Sequence, residues 1–290
     1  MSKSVTIRAQ IAACDLASAG MLRSSARSLL LTIFGELVLP HGGSVWTSTV
    51  VRALATLGVE ERNARQALLR LADAGTITSE KAGRKARWQL TDQGRRLLTT
   101  GTTRIYEFGS DDDGWDGRWL VVLCSVPEEQ RAKRHQLRSG LEFAGFGFLG
   151  PGVAICPHVD REDAANTVLA DLGLVPGAVV FRAETGSLVA DHDLLTRAWD
   201  LDALATDYRS FIDAFGQRAP RTDEERFAAL IELVHAWRRF PFVDPEIPPR
   251  LLPSRWPRER AKRLFDERHA EWSPRANAWY ERLENSSTTS

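Results

Sequence analysis

Three stretches of apolar residues at helical spacing occupy the first quarter of the chain, at 27–38, 48–57 and 60–73. Glycine and proline residues stand between them, as is usual where helices end. In the third stretch the apolar side chains follow the i, i+3, i+4, i+7 spacing that buries one face of a helix; they are Ala64, Ala67, Leu68 and Leu71. The pattern therefore predicts three short helices on a common core.

A two-stranded hairpin is predicted directly after the third helix. Residues 76–80 and 87–90 have strand character, the basic turn 82–85 lies between them, and Thr91 caps a fourth helix. Three helices followed by a basic hairpin is the element order of a winged helix-turn-helix domain, which the sequence predicts over 22–109.

The middle of the chain alternates between strands and helices after an acidic joint. The order βαββαβ predicts a ferredoxin-like domain over 115–186. The predicted elements are a strand at 118–126, a helix at 128–144, strands at 146–149 and 152–156, a helix at 161–172 and a strand at 178–183.

The last third is predicted to be a helical domain over 192–284. Thr222 and Glu225 form a capping box at the start of one helix. A single helix is predicted before it, and two helices separated by Pro274 are predicted after a proline-rich passage; their ranges are 194–215, 258–271 and 275–283. The polar tail from Asn285 is expected to fray. The fold class is thus α+β, with a flexible segment at 1–21 before the three domains.

Composition excludes several classes of protein. Hydrophobic residues make up 43% and charged residues 26%, which is typical of soluble globular chains. The sequence has no continuous apolar run of membrane-spanning length and no secretory signal. Its 3 cysteines form neither a zinc pattern nor a disulfide framework. We therefore expect a cytoplasmic protein.

The formal net charge of zero conceals an asymmetry between two parts of the chain. Residues 1–104 contain 15 Lys and Arg against 7 Asp and Glu, whereas 105–290 contain 23 against 31. Basic side chains neutralise phosphates and release counterions, so a basic first domain favours a polyanion such as DNA as partner. A solvated basic surface without a ligand is the alternative.

The third helix and the hairpin carry the residue types that read DNA. Arg bonds guanine and Gln bonds adenine in the major groove, so Arg62 and Gln66 are the candidate base readers. The other candidate DNA-binding residues are Arg27, Asn63, Arg65, Arg70, Arg84, Lys85 and Arg87. Because winged helices also bind proteins, a protein-interaction scaffold is the main alternative.

A small anionic ligand is suggested by residues of the helical domain. His235, Arg238 and Arg239 lie within about one helical turn, and Arg side chains near aromatic residues bind carboxylates or phosphates. With Tyr208 they form a candidate effector site for an aromatic acid or an acyl-CoA. The alternative is that Arg238 and Arg239 pair with Asp200, Asp244 or Glu246.

Enzymatic chemistry has little support in the sequence. Some ferredoxin-like nucleases hold a metal with a carboxylate at the end of the first strand, but here that position reads Cys124-Ser125-Val126. The six histidines are scattered, and no P-loop or GxGxxG motif is present. We expect no catalytic residue, no metal and no cofactor, with a metal-dependent nuclease as the remaining enzymatic alternative.

The order and spacing of several short motifs resemble those of the PaaX family of bacterial transcriptional repressors. The match spans about Leu22 to Leu283. The motifs are Arg27–Gly35, Gly42–Trp46, Ala64–Leu71, Lys81–Lys85, Trp115–Trp119, Gly145–Gly147, Arg238–Pro245 and Leu251–Trp256. Two departures are the absence of a Trp after Gly75 and the end of the chain soon after the last helix.

The resemblance implies a winged-helix domain, a ferredoxin-like domain and a helical domain. It also implies a dimeric repressor of aromatic catabolism that a small effector releases from DNA; in the namesake branch the effector is phenylacetyl-CoA. A twofold dimer would bind a palindromic operator.

Overall fold

The computed structural model describes residues 25–83, 85–109 and 114–289. The N-terminal segment predicted to be flexible (1–21) and Arg84 lie outside these ranges.

The elements before residue 110 are helical except for three short strands. They are α1 (Ala26–Ile33, continued by a π-helical turn at Phe34–Val38), β1 (Ser44–Trp46), α2 (Thr47–Ala55), α3 (Glu61–Asp73), β2 (Ile77–Ala82), β3 (Lys85–Leu90) and α4 (Asp92–Glu107).

The middle of the chain has the element order βαββαβ. It contains β4 (Trp119–Cys124), α5 (Arg131–Phe143), β5 (Gly147–Gly150), β6 (Val153–Cys156), α6 (Glu162–Asp171) and β7 (Ala178–Ala183). Short 3-10 turns precede α5, α6 and β7, at Glu128–Gln130, Val159–Arg161 and Val175–Gly177.

The C-terminal part is helical, as predicted. Its elements are α7 (Asp191–Ala198), α8 (Leu201–Gly216), α9 (Asp223–Trp237), α10 (Phe240–Val243), a 3-10 turn at Pro249–Leu251 and α11 (Arg258–Thr289). The predicted α+β class is confirmed.

The described chain folds into two compact units, each formed by separate stretches of sequence. The first unit comprises 25–108, 211–238 and 260–289, and the second comprises 109–210 and 239–259.

The first unit contains a three-stranded antiparallel sheet in the order β1-β3-β2. The hairpin β2–β3 was predicted, but β1 was not. Trp46 of β1 pairs with Arg87 of β3, and Val45 pairs with Trp88. Buried apolar residues of α1, α2 and α3 form the core beside this sheet, among them Leu30, Leu54 and Leu68.

The second unit contains a four-stranded antiparallel sheet in the order β5-β6-β4-β7. Alternate residues of β4 point to opposite faces. Leu120 and Val122 pack with α5 and α6 on one face. Trp119 lies in a second cluster, with Leu195 of α7 and Ile247, on the other face. The sheet is therefore packed on both sides along β4.

The single helix predicted over 194–215 is wrong, because the chain breaks between α7 and α8. Trp199 has an extended backbone, with φ −132° and ψ 147°. The side chain of Asp200 then accepts a hydrogen bond of 2.9 Å from the backbone N–H of Ala203 and caps α8. The Trp199 ring lies so close to Gly147 that a Cβ there would meet it at 2.5 Å. Tertiary packing of Trp199 thus overrides the helical pattern.

The two helices predicted on either side of Pro274 are one continuous helix, α11, and the tail does not fray before Thr289. Pro274 is exposed and leaves one backbone hydrogen bond unmade. Trp272 and Ala276 on either side of it are fully buried. Burial of this face on both sides of the proline keeps the helix intact. The predicted capping box of Thr222 and Glu225 is confirmed.

Candidate nucleic-acid interface

Helix α3 separates an apolar face from a polar one, as its spacing predicted. Ala64, Ala67, Leu68 and Leu71 are buried. Gly75 follows the helix with φ 71°, the left-handed conformation that ends helices and that glycine adopts without strain. The side chains on the other face are all exposed: Arg62, Asn63, Arg65, Gln66 and Arg70.

Part of this exposed face borders a cleft of about 410 Å³. Asn63, Gln66 and Arg70 line it from α3, and Arg27 lines it from the start of α1. Ser25 caps α1 and also contributes to the cleft: its hydroxyl accepts a hydrogen bond of 3.1 Å from the backbone N–H of Ser28. The structure thus brings together four of the candidate DNA-binding residues.

Helix polarity adds to the positive character of this cleft. The N-terminus of a helix carries partial positive charge from its unpaired N–H groups. Arg27 lies in the first turn of α1 and is exposed. The cleft therefore combines two guanidinium groups, Arg27 and Arg70, with a helix N-terminus, an arrangement that attracts anions.

Arg65 is engaged within its own helix. Its Nη2 lies 2.7 Å from Oε1 of Glu61, one turn earlier, and both side chains are more than half exposed. An exposed pair at this spacing adds only about 0.3–0.5 kcal/mol, so Arg65 can exchange Glu61 for a phosphate at small cost.

The hairpin β2–β3 presents basic residues from both strands. Lys81 and Arg87 are exposed, and Gly83 in the turn has φ 65°. The guanidinium of Arg87 lies 5.3 Å from the centre of the Trp46 ring, which holds the side chain by a cation–π contact.

Lys85, a candidate DNA contact, has partners inside the protein. Its Nζ donates to the backbone carbonyl of Ser287 at 2.7 Å and to that of Thr288 at 3.3 Å. Its side chain is half-buried. Lys85 therefore differs from Lys81 and Arg87 in having its charge matched by the end of α11.

Sequence reasoning missed Trp46 as a residue of this region. It pairs with β3, contacts Arg87 and Lys85 through its ring, and donates from Nε1 to Thr288 Oγ1 at 3.0 Å. Its strand has only three residues, too few for an alternation signal. The signal that was present is its place at the end of the Gly42–Trp46 motif.

The four candidate effector residues divide between the two units. Tyr208 and Arg239 belong to the second unit, and His235 and Arg238 to the first. In the second unit, the hydroxyl of Tyr208 donates to Asp244 Oδ2 at 2.6 Å. Arg239 Nη2 donates to Asp207 Oδ2 at 2.8 Å.

In the first unit both candidate effector residues lie beside α1. His235 Nδ1 lies 3.2 Å from Thr32 Oγ1, and Arg238 Nη2 donates to Ser28 Oγ at 2.8 Å. Burial, with the charge of Arg238 nearby, lowers the pKa of His235 to about 3. Burial also lowers the pKa of Arg238 to about 10. His235 is therefore neutral at physiological pH.

The ion pairs expected for Arg238 and Arg239 as the alternative involve other residues. Asp244 pairs with Arg258, and Glu246 pairs with Arg161. Asp200 caps α8. Arg239 pairs with Asp207 of α8, which was not among the expected partners.

A second cleft, of about 320 Å³, lies in the second unit. Trp115, His158 and Glu246 line it, together with Pro248 and Pro249. His158 Nε2 lies 2.7 Å from the carbonyl oxygen of Glu246. None of the candidate effector residues lines either of these two clefts.

The described residues contain neither a cluster of metal ligands nor a membrane-spanning helix. No group of three or more His, Cys, Asp or Glu side chains among them could hold a metal ion. None of the helices in the described ranges is both long and apolar enough to cross a membrane.

Three family models match consecutive parts of the chain. The model of the PaaX-like protein matches residues 25–94, that of the PaaX central Cas2-like domain matches 112–195, and that of the PaaX-like C-terminal domain matches 199–282. The first match contains α3 and the basic hairpin.

Two individual proteins are similar over most of their length. The transcriptional repressor PaaX of Escherichia coli (strain K12) is 28% identical over 266 residues, which cover 88% of this chain and 83% of the repressor. An uncharacterized protein of Mycobacterium tuberculosis, Rv0674, has a similar fold, with a TM-score of 0.59 and 20% identity over 88% of this chain and 98% of that one. With all three of its family models matched in order along the sequence, the chain belongs to the PaaX family.

Proposed function

We propose that this protein is a transcriptional repressor that binds a specific DNA sequence through α3 and the hairpin β2–β3. The observation that carries the proposal is the exposed polar face of α3, where Asn63, Gln66 and Arg70 border one cleft with Arg27. The similarity to a protein named as a transcriptional repressor supports it.

The side chains of α3 suit base recognition in the major groove. A helix fits this groove and reaches three or four bases. In the proposal, Arg62 and Gln66 bond guanine and adenine edges, and Asn63 and Arg65 contact neighbouring positions. Arg27 and Arg70, at the cleft, bind backbone phosphates, which position the protein without selecting a sequence.

We assign the N-terminal elements to a winged helix-turn-helix and the middle to a ferredoxin-like domain. Support for the first is the order of α1, α2 and α3 followed by the β2–β3 hairpin. Support for the second is the βαββαβ order with strands arranged β5-β6-β4-β7, in which the first and third strands are central. In this assignment the hairpin β2–β3 is the wing, which carries Lys81, Lys85 and Arg87; Arg84, between the two strands in sequence, lies outside the described residues.

We further propose that the repressor is a homodimer on a palindromic operator and that an aromatic acid or aryl-CoA releases it. An effector must bind one conformation better than another to change DNA occupancy. If Arg239 binds the effector, the carboxylate or phosphate of the ligand would replace Asp207 as its hydrogen-bond acceptor. A ligand at Tyr208, in the same unit, would replace Asp244. A ligand bound instead in the first unit, at His235 and Arg238, would replace Thr32 and Ser28.

We propose a cytoplasmic regulator without catalytic activity. The relative's name supports regulation, and the end of β4 holds Cys124 at the place where a ferredoxin-like nuclease would hold a metal carboxylate. This favours DNA binding over the nuclease alternative.

Fluorescence anisotropy tests the proposal. The protein is titrated into labelled DNA from upstream of its own gene and into a scrambled duplex, at two salt concentrations, with and without aromatic acids and their CoA thioesters. We expect tight, selective binding that one of these compounds abolishes. Equal and weak binding to both duplexes, repeated with a duplex library in place of the upstream DNA, would contradict sequence-specific recognition and favour the protein-binding alternative.

A further inference from the structure

The last turn of α11 lies against the sheet and α2 of the first unit. Residues 284–288, here the C-terminal turn, accept hydrogen bonds there from Thr49, Trp46 and Arg52, the last from Arg52 Nη1 to Ser286 Oγ at 3.5 Å. Thr49 Oγ1 donates to Ser287 Oγ at 3.0 Å, and Trp46 donates from Nε1 to Thr288 Oγ1 at 3.0 Å and from its backbone N–H to Glu284 Oε2 at 3.4 Å. Ser287 is only 6% exposed. The C-terminal turn is thus packed into the first unit.

Lys85 caps the end of this helix. The last four carbonyl groups of an α-helix have no partner within it, and this end carries partial negative charge. Because α11 ends at Thr289, the carbonyls of Ser287 and Thr288 belong to this set. Lys85 Nζ bonds both of them, at 2.7 and 3.3 Å. The ammonium group therefore satisfies two acceptors that the helix cannot satisfy itself.

Lys85 connects the end of α11 to the tip of the hairpin β2–β3. Lys85 is the first residue of β3 and pairs with Ala82 at the tip of the hairpin. Its ammonium also lies 5.8 Å from the centre of the Trp46 ring. Trp46 is itself held by the C-terminal turn. Two residues of the sheet are thus fixed by the same five-residue stretch.

We propose that the C-terminal turn is the positioning element of the wing and that Lys85 is a positioning residue rather than a phosphate contact. The proposal rests on the DNA-binding function proposed above. The carbonyls of Ser287 and Thr288 hold Lys85, and Trp46 holds the neighbouring strand, so that Lys81 and Arg87 face DNA in one fixed direction. A phosphate bound by Lys85 would first have to displace both carbonyls.

The test begins with a duplex selected from a randomised pool by the full-length wild-type protein. If no sequence is enriched, the DNA-binding function itself fails, and that result precedes any comparison of variants. Affinity for the selected duplex is then measured over a range of salt concentrations. The chains compared are the wild type, Lys85→Ala, a chain ending at Leu283, the combination of these two, and Lys81→Ala as the control for an exposed wing lysine.

Loss of the turn removes the partners of Lys85 and also those of Trp46 and Thr49. Lys85→Ala is therefore expected to weaken binding about tenfold and the shortened chain at least as much. The combined variant should bind no more weakly than the shortened chain, because Lys85 has already lost its partners there. In Lys85→Ala the slope of log K against log salt stays at the wild-type value, whereas in Lys81→Ala its magnitude falls by about one. In hydroxyl-radical footprints of the shortened chain, the protection given by α3 remains and that given by the wing is lost.

Other results would overturn the proposal. The first is a salt slope for Lys85→Ala that falls like that of Lys81→Ala, combined with wild-type affinity of the shortened chain. The second is tighter DNA binding by the shortened chain, which would mean that the turn inhibits binding. If circular dichroism shows that the shortened chain is unfolded, two substitutions delete the hydrogen bond between Trp46 and Thr288 in the full-length chain. Thr288→Val deletes that bond alone, whereas Trp46→Phe also reduces the ring that contacts Lys85 and Arg87. Both should weaken binding about threefold with the salt slope unchanged; wild-type affinity in both excludes a positioning role.

Discussion

Tyr208 donates a hydrogen bond of 2.6 Å to Oδ2 of Asp244, and both side chains are buried. Arg258 completes the contact: its Nε donates to the same oxygen at 2.9 Å and its Nη2 to Oδ1 at 3.1 Å. Burial, with the Asp244 carboxylate nearby, raises the pKa of Tyr208, which keeps the phenol protonated as a donor. A residue suggested for ligand binding thus forms part of a buried ion-pair network.

Asp244→Ala should destabilise the protein far more than Tyr208→Phe. The first change leaves the Arg258 guanidinium buried without its carboxylate, which costs about 3–5 kcal/mol. The second removes one hydrogen bond while Arg258 still balances Asp244, at about 1–2 kcal/mol. Urea unfolding followed by circular dichroism measures both. Equal losses for the two variants would show that the ion pair is not what makes this network stabilising.

Substitutions on α3 should separate base recognition from phosphate binding. We expect Arg62→Ala and Gln66→Ala each to reduce the free energy of binding to the selected DNA by about 1–3 kcal/mol and to relax base preference. Arg70→Ala should weaken binding to all sequences and lower the salt slope by about one. Anisotropy with matched and single-base-changed duplexes distinguishes these outcomes. Arg131→Ala, an exposed change on α5, is the control. Unchanged selectivity in both of the first two variants would remove the assignment of α3 as the reading helix.

Features that depend on neighbouring residues in sequence were predicted correctly. The apolar face of α3, the left-handed Gly75 and the capping box of Thr222 and Glu225 all follow from spacing within a few positions. The break at Trp199 and the continuity of α11 through Pro274 were not predicted. Both depend on tertiary packing, of an indole on Gly147 in the first case and of buried aromatic residues in the second.

The candidate site shows the same difference between features that local sequence predicts and features that depend on distant residues. The exposure of Arg62 and Gln66 followed from helical periodicity, because their faces are fixed once the buried face is known. The state of Lys85 could not be predicted, since its partners, Ser287 and Thr288, lie about two hundred residues away in sequence. Nothing in local spacing distinguishes a lysine that caps a distant helix from one that faces solvent.

Two glycines of α4 should respond to alanine in opposite directions. A Cβ at Gly94 would meet the backbone oxygen of Thr76 at 2.0 Å, whereas one at Gly101 would have nothing within 4 Å. Gly94→Ala should therefore destabilise by about 1–3 kcal/mol through overpacking. Gly101→Ala should stabilise by about 0.5–1 kcal/mol, because alanine has the higher helix propensity. Thermal unfolding of the pair is the measurement, and a stabilising Gly94→Ala would mean that α4 does not approach Thr76 this closely.

Buried His235 should make stability depend on pH below neutrality. Above pH 6.5, the ordinary pKa of histidine, the residue is neutral in both the folded and the unfolded protein. Between pH 6.5 and about 3 the unfolded chain gains a proton that the folded protein excludes, because burial has lowered the pKa of His235 to about 3. Its contribution to stability is therefore present at neutral pH and falls by up to about 1.4 kcal/mol for each pH unit in this window.

A comparison with His235→Asn isolates this effect from the titrating carboxylates. Asparagine keeps a polar atom near Thr32 but has no proton to gain. The wild type should be more stable than the variant by an amount that shrinks from pH 7 towards pH 4 when urea unfolding is measured at each pH. A difference between the two proteins that is independent of pH would show that His235 is accessible to protonation in the folded state.

The π-helical turn after α1 places Glu36 in contact with two residues from distant parts of the first unit. Tyr106 donates its phenol to Glu36, and His269 Nε2 lies 2.7 Å from Glu36 Oε1 and 2.9 Å from the Tyr106 hydroxyl. Burial, with the Glu36 carboxylate nearby, raises the pKa of Tyr106 well above its usual range. Glu36 is mostly buried, at 8% exposure of its side chain. The three side chains therefore form one network connecting α1, α4 and α11.

A double-mutant cycle should show that Glu36 and Tyr106 act together. Glu36→Gln removes the charge of the acceptor and Tyr106→Phe removes the donor of the same hydrogen bond. The double variant should therefore lose about 1–3 kcal/mol less stability than the sum of the two single losses. Glu225→Gln is the comparison partner, because its carboxylate bonds to the backbone N–H groups of Arg221 and Thr222 instead. The loss of stability caused by Glu225→Gln should add to that caused by Glu36→Gln within about 0.5 kcal/mol. Additive losses for Glu36 and Tyr106 as well would mean that His269 alone, through its 2.7 Å contact, holds the carboxylate in place.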